Sequence, residues 1–234
     1  MQKVLITGGT GAIGTELVRE FAKNKNYEIW FSYCDNKQRA DELATQTGAT
    51  AIQIKDNDIS NVSADFDILI NNAASVIYDD ISETVPDEHM RDTLETNLML
   101  PFRLSKLTLP HMKKNKWGRI INISSVNATT NLTHMLAYNV SKAALNTMTK
   151  TMAKEYAEFG ITCNVVSPGL IGETGMGVQS VMHYGDSMDE IANEHPAKRH
   201  LAAAEVAPAC VFLASGAASF VNGIVLTVDG GLTA

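Results

Sequence analysis

The sequence predicts an α/β protein with a doubly wound parallel sheet of seven strands. Short apolar runs of strand character alternate along the chain with longer segments of helical periodicity, which is typical of a parallel sheet covered by helices on both faces. A glycine-rich segment, TGGTGAIG at 7–14, directly follows the first apolar run. Because 234 residues can form one large domain and no change in composition divides them, we expect a single domain over residues 1–234.

The strand and helix assignments follow from these patterns. The predicted strands are 3–7, 28–32, 51–54, 67–71, 119–124, 162–167 and 224–228. The clearest helix is predicted over 138–159, where Val140, Leu145, Met152 and other apolar residues recur at three- and four-residue steps. Gly160 is expected to end this helix.

Composition excludes several classes of protein. Hydrophobic residues make up 45% of the chain and charged residues 19%, which is ordinary for a globular protein and excludes a wholly disordered chain. The net charge of -7 argues against nucleic-acid binding, which needs a basic surface. Cys34, Cys163 and Cys210 lack the spacing of a metal site or a disulfide framework. With no export signal and no apolar stretch long enough for a membrane helix, we expect a cytoplasmic protein without metal.

The segment at 7–14 is a candidate phosphate-binding loop. Between a strand and a helix, glycines let the backbone approach a pyrophosphate, and the amides at the start of the helix can bind it. The same glycines could instead form only a tight turn without a ligand. The motif alone leaves both interpretations open.

A second motif combines Tyr138 and Lys142, four residues apart, with Ser125 thirteen residues before the tyrosine. Four residues along a helix place the two side chains next to each other. An adjacent ammonium favours the phenolate and lowers a tyrosine pKa from its reference value of about 10. The pair could therefore serve as an acid–base catalyst, with the Ser125 hydroxyl holding the reacting oxygen. YxxxK also occurs by chance on amphipathic helices, and the serine at a strand end favours the catalytic interpretation.

Further segments follow in a characteristic order. They are NNAA at 71–74, Asn97 within ETNL, SPGLI at 167–171 and GIVLTVDGG at 223–231. Together with the glycine loop and the Ser125, Tyr138 and Lys142 set, they resemble the short-chain dehydrogenase/reductase family over nearly the whole chain. The closest likeness is to its compact branch, which includes the 3-oxoacyl-[acyl-carrier-protein] reductases. The resemblance implies a single-domain Rossmann fold that binds a dinucleotide and carries catalysis, with a substrate loop at about 172–194.

The resemblance also implies residue roles. Tyr138 would donate the proton, Lys142 would lower its pKa and hold the nicotinamide ribose, Ser125 would position the carbonyl and Asn97 would complete a proton relay. Besides Tyr138 and Lys142, the implied cofactor-binding residues are Gly8, Thr10, Gly11, Ile13 and Gly14 at the glycine loop, Tyr33 and Asp58 after the second and third strands, Asn72, Ala73 and Ala74 near the adenine ribose, and Pro168, Gly169, Ile171 and Thr174 around the nicotinamide.

The chain departs from the family pattern between the third and fourth strands. Only eight residues separate Asp58 from Asp67, where relatives carry a full helix. The link must cross roughly 14 Å of a 3-2-1-4 sheet, and eight extended residues reach about 26 Å. We therefore expect a missing or one-turn helix there.

Cofactor preference depends on the end of the second strand. NAD-binding enzymes usually place an acidic residue there, whereas this chain has Ser32 and Tyr33, with Asp35 slightly further on. Lys37 and Arg39 could accept a 2′-phosphate, although either could also belong to a solvated helix surface. Gly11 stands where many NADP-dependent relatives carry arginine. We expect NADP(H) as the preferred cofactor and NAD(H) as the alternative.

The expected substrate is a 3-oxoacyl thioester, carried on an acyl-carrier protein, in fatty-acid or polyketide-like synthesis. A basic cluster of Lys113, Lys114, Lys116 and Arg119 could meet an acidic carrier at the mouth of the site, although it could also be a solvated turn. Glu158 and Phe159 weaken carrier docking, because many carrier-dependent relatives have arginine at the second position. The alternatives are a dehydrogenase or reductase of a free alcohol, sugar or steroid-like compound, and a non-catalytic nucleotide-binding sensor.

The remaining expectations concern the substrate loop and assembly. Met176, Met182 and Met188 could adapt to an apolar acyl chain or simply pack the loop. His134, His183 and His200 have no spacing that indicates a metal site or a triad, so surface or packing roles are expected. The resemblance implies a homotetramer or homodimer, assembled through the helix around Asn97, the helix at 138–159 and the last strand.

Overall fold

The computed structural model describes residues 1–78, 81–172, 178, 183 and 187–234. Its centre is a seven-stranded parallel sheet with the order β3-β2-β1-β4-β5-β6-β7, which confirms the predicted fold class. The strands are β1 (Gln2–Ile6), β2 (Tyr27–Tyr33), β3 (Thr50–Gln53), β4 (Ile68–Asn71), β5 (Gly118–Ile123), β6 (Ile161–Pro168) and β7 (Val225–Val228). Each overlaps one of the seven segments predicted from sequence.

Eight α-helices lie within the described residues. They are α1 (Ala12–Ala22), α2 (Lys37–Thr47), α3 (Asp87–Leu94), α4 (Leu100–Asn115), α5 (Asn127–Thr130), α6 (Leu136–Tyr156), α7 (Met188–Glu194) and α8 (Ala207–Ala214). A π-helical turn, Glu95–Met99, joins α3 to α4 without a break. Short 3₁₀ turns occupy Ser82–Thr84, Ala157–Phe159, Ala203–Glu205 and Gly216–Ala218. No helix in these ranges is long and apolar enough to span a bilayer.

Two apolar layers cover the sheet, one on each face. Alternation along β1 sends Val4 and Ile6 into the layer beneath α1, α2 and α8, and sends Leu5 into the opposite layer beneath α4 and α6. All three side chains are fully buried. Burial of a side chain of this size contributes about 1.5–3 kcal/mol, so the near-continuous apolar runs of the strands account for much of the stability of the sheet.

The link between β3 and β4 contains turns and no helix, as the sequence predicts. Ile54, Val62 and Phe66 are its buried anchors. Phe66 packs edge-on against Trp30 of β2, with ring centroids 6.1 Å apart. Three apolar side chains thus cover the part of the sheet that a helix would otherwise cover.

The long helix α6 begins two residues before the predicted start and continues as a 3₁₀ turn to Phe159. Gly160 follows with a φ of 70° in the left-handed region, which glycine adopts without strain. A Cβ at this position would lie 2.4 Å from the carbonyl oxygen of Lys116. Gly160 therefore ends the helix and lets β6 begin beside the turn that precedes β5.

Candidate active site

The glycine loop after β1 is held tightly against the end of β2. Gly8 has a φ of 65°, and its N–H donates to the Ser32 hydroxyl at 3.1 Å. The Gly9 N–H donates to the Ser32 carbonyl at 2.7 Å. A Cβ at Gly14 would lie 2.1 Å from the Gly8 carbonyl oxygen, so α1 can only start this close to the loop with glycine there.

The start of α1 fits a diphosphate group. Gly11 is the N-cap and has no side chain that could bond the first amides of the helix. Among the described hydrogen bonds, none uses the N–H groups of Ala12 or Ile13, and the first turn carries no acidic residue. Unpaired amides at the positive end of a helix dipole are what a dinucleotide pyrophosphate requires. Gly8, Thr10, Gly11, Ile13 and Gly14 thus lie where the sequence predicts the cofactor loop.

Asn72 connects this loop to the end of β4. The Thr7 hydroxyl accepts the N–H groups of Asn72 and Ala73, both at 2.9 Å. The Asn72 side-chain amide donates to the carbonyls of Thr7 at 2.8 Å and Gly8 at 3.2 Å. The Asn72 side chain therefore supports the glycine loop, and Ala73 and Ala74 follow it at the same edge of the sheet.

The structure brings together Ser125, Tyr138 and Lys142. Ser125 follows β5, whereas Tyr138 and Lys142 lie in the first two turns of α6. The Lys142 ammonium lies 5.5 Å from the centre of the Tyr138 ring and donates to the Ile123 carbonyl at 2.8 Å. The Ser125 side chain lowers the pKa of the Tyr138 phenol. The three side chains form the arrangement that the spacing predicts for an acid with an adjacent cation.

Burial sets the proton affinities of this pair. Desolvation is the largest cause of the shift that raises the pKa of Tyr138 to about 12. The Ser125 side chain lowers this pKa, and Tyr78 raises it further. Desolvation also lowers the pKa of Lys142, which is only 2% exposed, to about 8. The sequence predicts a lowering of the Tyr138 pKa, whereas the net shift in this structure is upward, because the loss of water around the phenol is its largest cause. Tyr138 therefore stays protonated at neutral pH and can act as a proton donor.

Asn97 lies in the π turn and is fully buried. Its side-chain amide donates to the Ser75 carbonyl at 2.9 Å and to the Ser141 hydroxyl at 3.0 Å, and its oxygen accepts the Ser75 N–H at 2.8 Å. The Ser141 hydroxyl donates in turn to the Tyr138 carbonyl at 2.7 Å. The Asn97 side chain therefore holds α6 and the segment after β4 in place. Sequence reasoning missed Ser75 and Ser141, although Ser141 lies within the YxxxK motif.

The predicted nicotinamide-side residues follow β6. The Pro168 carbonyl accepts the Val126 N–H at 3.1 Å, and the Gly169 N–H donates to the Val228 carbonyl at 3.0 Å. Ile171 is buried and forms a bridge to Leu201. Thr174, Met176 and Met182 lie outside the described residues, as does most of the predicted substrate loop.

Lys37 and Arg39, the two candidate ligands of a 2′-phosphate, follow β2 and differ in their surroundings. Lys37 pairs with Asp41 at 2.6 Å on the exposed surface of α2. Arg39 makes no ion pair within the described ranges. It lines an open cavity of about 470 Å³ between α1 and α2, which Glu16 and Glu42 also line. Of the two side chains, only Lys37 is therefore paired with a carboxylate in the described structure. The Tyr33 side chain packs in the core, and Asp58 is exposed and accepts the N–H and hydroxyl of Ser60.

The basic cluster before β5 does not lie at the mouth of the site, contrary to expectation. Lys113 and Lys114 end α4 and Lys116 follows it, at the amino end of β5. Ser125 lies at the carboxyl end of that strand, about 20 Å away. Arg119 is 2% exposed, and Lys113 stacks on Phe159 at 4.3 Å. Because strands of a parallel sheet all point the same way, residues that precede β5 face away from the catalytic edge.

Three polar rings form a cluster that sequence reasoning did not bring together. The Tyr78 and His183 ring centroids are 5.3 Å apart, and those of His134 and His183 are also 5.3 Å apart. Tyr78 also raises the pKa of Tyr138. His134 precedes Tyr138 by four residues. Across the described part of the chain, no group of His, Cys, Asp and Glu side chains could hold a metal ion.

Comparison with known proteins gives relatives of several kinds. A family model described as Enoyl-(Acyl carrier protein) reductase matches residues 9–233. The chain is 34% identical to the 3-oxoacyl-[acyl-carrier-protein] reductase of Haemophilus influenzae, covering 97% of this chain and 96% of the relative. It is also 34% identical to a cyclic-di-GMP-binding biofilm dispersal mediator protein of Escherichia coli, with coverages of 97% and 95%. A 2-dehydro-3-deoxy-D-gluconate 5-dehydrogenase of Bacillus subtilis is 32% identical, with coverages of 97% and 92%.

Solved structures agree with the sequence relatives. A variant of actinorhodin polyketide ketoreductase crystallised with NADPH superposes with a TM-score of 0.90 at 28% identity, covering 99% of this chain and 97% of the other. ElxO with NADP bound superposes with a TM-score of 0.86 at 28% identity, with coverages of 99% and 98%. The family model matches nearly the whole chain, the 34% identity extends over nearly the full length of the relatives, and the fold is shared. The chain therefore belongs to the short-chain dehydrogenase/reductase family.

Proposed function

We propose that the protein is an NADP(H)-dependent carbonyl reductase whose substrate is a 3-oxoacyl thioester. The observation that supports this best is the grouping of Ser125, Tyr138 and Lys142 at the carboxyl edge of the sheet, the same edge that carries the glycine loop. In open α/β sheets this edge is where ligands bind. Enzymes that reduce such thioesters in fatty-acid or polyketide-like synthesis are among the relatives of the chain.

Each catalytic side chain has a defined task in this proposal. NADPH supplies the hydride when it is bound. Ser125 donates a hydrogen bond to the carbonyl oxygen of the substrate and holds it against the Tyr138 phenol. Tyr138 gives its proton to that oxygen as negative charge develops there. Lys142, positively charged below a pH of about 8, stabilises the phenolate left behind and offers its ammonium to the nicotinamide ribose.

The phosphate preference rests on Arg39. Arg39 makes no ion pair within the described ranges, whereas Lys37 is neutralised by Asp41. A guanidinium suits a phosphate because it presents several donors in a plane. We expect Arg39→Ala to raise the KM for NADPH by about tenfold and leave the KM for NADH within about twofold, since one charged hydrogen bond contributes about 1.5–3 kcal/mol. Lys37→Ala is the matched control, and equal changes for both cofactors would contradict the assignment.

A free keto sugar acid is the second candidate substrate class. The position of the basic cluster favours it, because Lys113, Lys114 and Lys116 lie at the far end of β5 and give an acidic carrier no docking site near Tyr138. The relative from Bacillus subtilis, named as acting on such a compound, supports the same alternative. Steroid-like and simple alcohols have no comparable support.

The experiment that tests the function measures NADPH oxidation with three substrates. They are a 3-oxoacyl thioester on a carrier protein, the same acyl group on a small thioester, and 5-keto-D-gluconate.

We expect Tyr138→Phe to lower kcat by about 10²–10⁴-fold, the usual contribution of a positioned general acid. NADPH affinity, measured by fluorescence, should remain within about twofold, because the phenylalanine keeps the ring. Residual activity near the wild-type level would contradict the role of Tyr138.

A sensor that binds a nucleotide without turnover is the alternative from another class. The relative described as a cyclic-di-GMP-binding mediator makes it a real competitor. The buried Lys142, which is costly for stability and lies beside the Tyr138 ring, supports the enzyme. NADPH binding without oxidation in the presence of any of the three carbonyl compounds would favour the sensor.

The proposed assembly is a homotetramer, with a homodimer as the alternative, in the cytoplasm. Two separate surfaces expose large apolar side chains. One lies on α4 and α6 and includes Met99, Phe102 and Val140. The other lies around α8 and the edge strand β7 and includes Phe212, Phe220 and Ile224. Two apolar surfaces of this kind support two interfaces in each subunit.

A further inference from the structure

The turn after β7 is built around a buried carboxylate. The Asp229 side chain accepts the N–H groups of Gly231 at 3.0 Å and Thr233 at 2.9 Å, and the Thr233 hydroxyl at 2.6 Å. Asp229 is buried, and a Cβ at Gly169 would lie 3.1 Å from its Cβ. This C-terminal turn, residues 229–233, is therefore packed closely against the residues that follow β6, where the nicotinamide side of the site is expected.

His195 connects the helix α7 to the C-terminal turn. It directly follows α7, and its Nε2 lies 2.8 Å from the Asp229 carbonyl oxygen. Its Nδ1 accepts the Ala197 N–H at 3.0 Å. Because an amide N–H only donates and a carbonyl only accepts, the ring carries its proton on Nε2 and donates it to Asp229. A Cβ at Gly230 would lie 2.8 Å from the His195 Cε1, so the imidazole packs directly on the backbone of the turn.

Packing alone holds α7 weakly to the rest of the molecule. The helix has seven residues, and none of its side chains is buried. A helix this short is marginal in isolation and depends on tertiary contacts for its position. Within the described ranges, the hydrogen bond from His195 to the Asp229 carbonyl is the one that joins the end of this helix to the sheet.

The connection lies at the catalytic edge of the sheet. The strands β5, β6 and β7 are parallel neighbours, and Ser125, Gly169 and Asp229 each follow the carboxyl end of one of them. Neighbouring strands are about 4.8 Å apart, so the C-terminal turn lies about 10 Å from the end of β5. The end of α7 is therefore attached within reach of a substrate that extends several atoms beyond the carbonyl group held by Ser125.

We propose that His195 is a positioning residue that fixes α7 against the C-terminal turn and so presents one arrangement of this helix to the carbonyl substrate. The inference rests on the proposed function, because α7 ends the segment that the resemblance assigns to the substrate. When only a fraction of the molecules holds the binding arrangement, the apparent affinity falls by that fraction. Loss of the bond to Asp229 should therefore raise KM for the carbonyl compound and leave kcat nearly unchanged, because Ser125 and Tyr138 lie on other elements.

Two variants of His195 separate its two hydrogen bonds. In His195→Gln, the side-chain amide reaches as far as Nε2 and can still donate to the Asp229 carbonyl. In His195→Asn, the shorter side chain keeps an acceptor for the Ala197 N–H, as in an Asx turn, and loses the bond to Asp229.

The assay uses NADPH and whichever compound the wild type reduces best among the two thioesters and 5-keto-D-gluconate. We expect His195→Asn to raise KM for this compound by about three- to tenfold, as the loss of one hydrogen bond would give. His195→Gln should keep KM within about twofold of the wild type. In both variants kcat and NADPH affinity should also stay within about twofold, whereas general destabilisation would lower kcat through loss of active enzyme.

A second pair of variants disturbs the contact from the C-terminal turn. Gly230 and Gly231 both have a left-handed φ, of 61° and 89°, so alanine strains the backbone at either position. A Cβ at Gly230 meets His195, whereas the nearest atom to a Cβ at Gly231 is 3.9 Å away on Pro196. Gly230→Ala should therefore raise KM as His195→Asn does, and Gly231→Ala, the matched control, should leave KM within about twofold.

Hydrogen exchange of residues 188–197 tests the connection without a substrate. His195→Asn should exchange these amides at least about threefold faster than the wild type, and His195→Gln should not. If the wild type binds NADPH and reduces none of the three compounds, the proposed function fails, whereas faster exchange in His195→Asn alone still supports the attachment of α7. Equal exchange in His195→Asn and the wild type overturns that attachment. An unchanged KM in His195→Asn, an equal rise in His195→Gln, or a loss confined to kcat overturns the positioning role while the enzyme stands.

Discussion

At the scale of single residues, Lys142 is the most unusual group in the protein. Its side chain is 2% exposed and donates to the Ile123 carbonyl, and within the described ranges no carboxylate pairs with it. Burial lowers its pKa to about 8, whereas an unfolded lysine titrates near 10.4. The folded protein therefore binds this proton more weakly than the unfolded chain does. Below a pH of about 8 the buried charge is a continuous cost to stability.

We expect Lys142→Met to stabilise the protein and to abolish its activity. The apolar side chain fills similar space without the charge, and a rise in Tm of about 2–4 °C at pH 7 corresponds to roughly 1 kcal/mol in a chain of this size. The gain should shrink between pH 8 and about 10.4, because wild-type Lys142 then becomes neutral in the folded state before it does in the unfolded state. Thermal unfolding at pH 6, 7, 9 and 10 measures this.

Lys150→Met is the matched control for that prediction. Lys150 lies on the same helix and is exposed, so its replacement should shift Tm by less than about 1 °C at every pH. A constant difference between Lys142→Met and the wild type from pH 6 to pH 10 would show that the charge of Lys142 does not limit stability.

The candidate site residues were predictable from sequence wherever their spacing along one helix or strand fixed their relative positions. Tyr138 and Lys142 lie on one helix, and Ser125 ends one strand, so their meeting follows from helical and parallel-sheet geometry. The direction of the Tyr138 pKa shift was not predictable, because desolvation depends on side chains from several segments. The grouping of Tyr78 and His134 around His183 was missed for the same reason.

At the scale of secondary structure, the π turn Glu95–Met99 determines how Asn97 is used. An extra residue in one helical turn rotates the following side chains, and such turns are frequent at functional sites. Here the turn directs the Asn97 amide to Ser141 of α6 and to both backbone groups of Ser75. One buried side chain thus connects the α3–α4 helix to α6 and to the segment after β4.

A double-mutant cycle tests this connection. We expect Asn97→Ala to lower the free energy of unfolding by about 2–3 kcal/mol, because it leaves the Ser75 backbone groups and the buried Ser141 hydroxyl without their partner. We expect Ser141→Ala to lower it by about 1 kcal/mol. Since both variants remove the same hydrogen bond, their effects should fall short of additivity by about 1 kcal/mol in urea denaturation.

The control for the cycle pairs Ser141→Ala with Ser105→Ala. Ser105 is buried on α4 and bonds the Pro101 carbonyl, about 12 Å along the helix from Asn97. The two effects should add within about 0.5 kcal/mol. Additivity of Asn97→Ala with Ser141→Ala would mean that the hydrogen bond contributes nothing to the coupling of the two helices.

Secondary structure itself was largely predictable. The seven strands were recognisable as apolar runs, and α6 by its helical period and Gly160. The absence of a helix before β4 followed from the chain length available. The π turn was not predictable, because one inserted residue hardly changes the apolar pattern of a helix from Asp87 to Asn115.

At the scale of the whole molecule, the two exposed apolar surfaces lie on different parts of the subunit. Met99 ends the π turn, Phe102 lies on α4 and Val140 lies on α6. Phe212 lies on α8, and Phe220 and Ile224 lie in the segment that leads into β7, the outer strand of the sheet. A short edge strand flanked by exposed aromatic side chains is a surface that pairs readily with another copy. With a net charge of -7, nonspecific association between subunits is opposed, so stable contacts need such apolar areas.

We expect the wild type to sediment as a tetramer at micromolar concentration, held by one interface at each of these surfaces. Phe220→Asp places a charge at the surface around β7 and should leave dimers joined through α4 and α6. Phe102→Asp should leave dimers joined through the surface around β7. A two-fold interface contains each substitution twice, so one charge per subunit places two charges in the contact. The variant that carries both substitutions should therefore be monomeric.

Sedimentation velocity measures whether each variant is a tetramer, a dimer or a monomer. Gln38→Glu on the exposed face of α2 is the control, because it adds a charge away from both surfaces. A wild type that stays monomeric at micromolar concentration would rule out the tetramer. If either single variant remained tetrameric, its surface would not be an interface. Because α6 carries Tyr138 and Lys142, a monomeric double variant that folds but loses NADPH turnover would further show that assembly at α4 and α6 holds the catalytic helix in its active position.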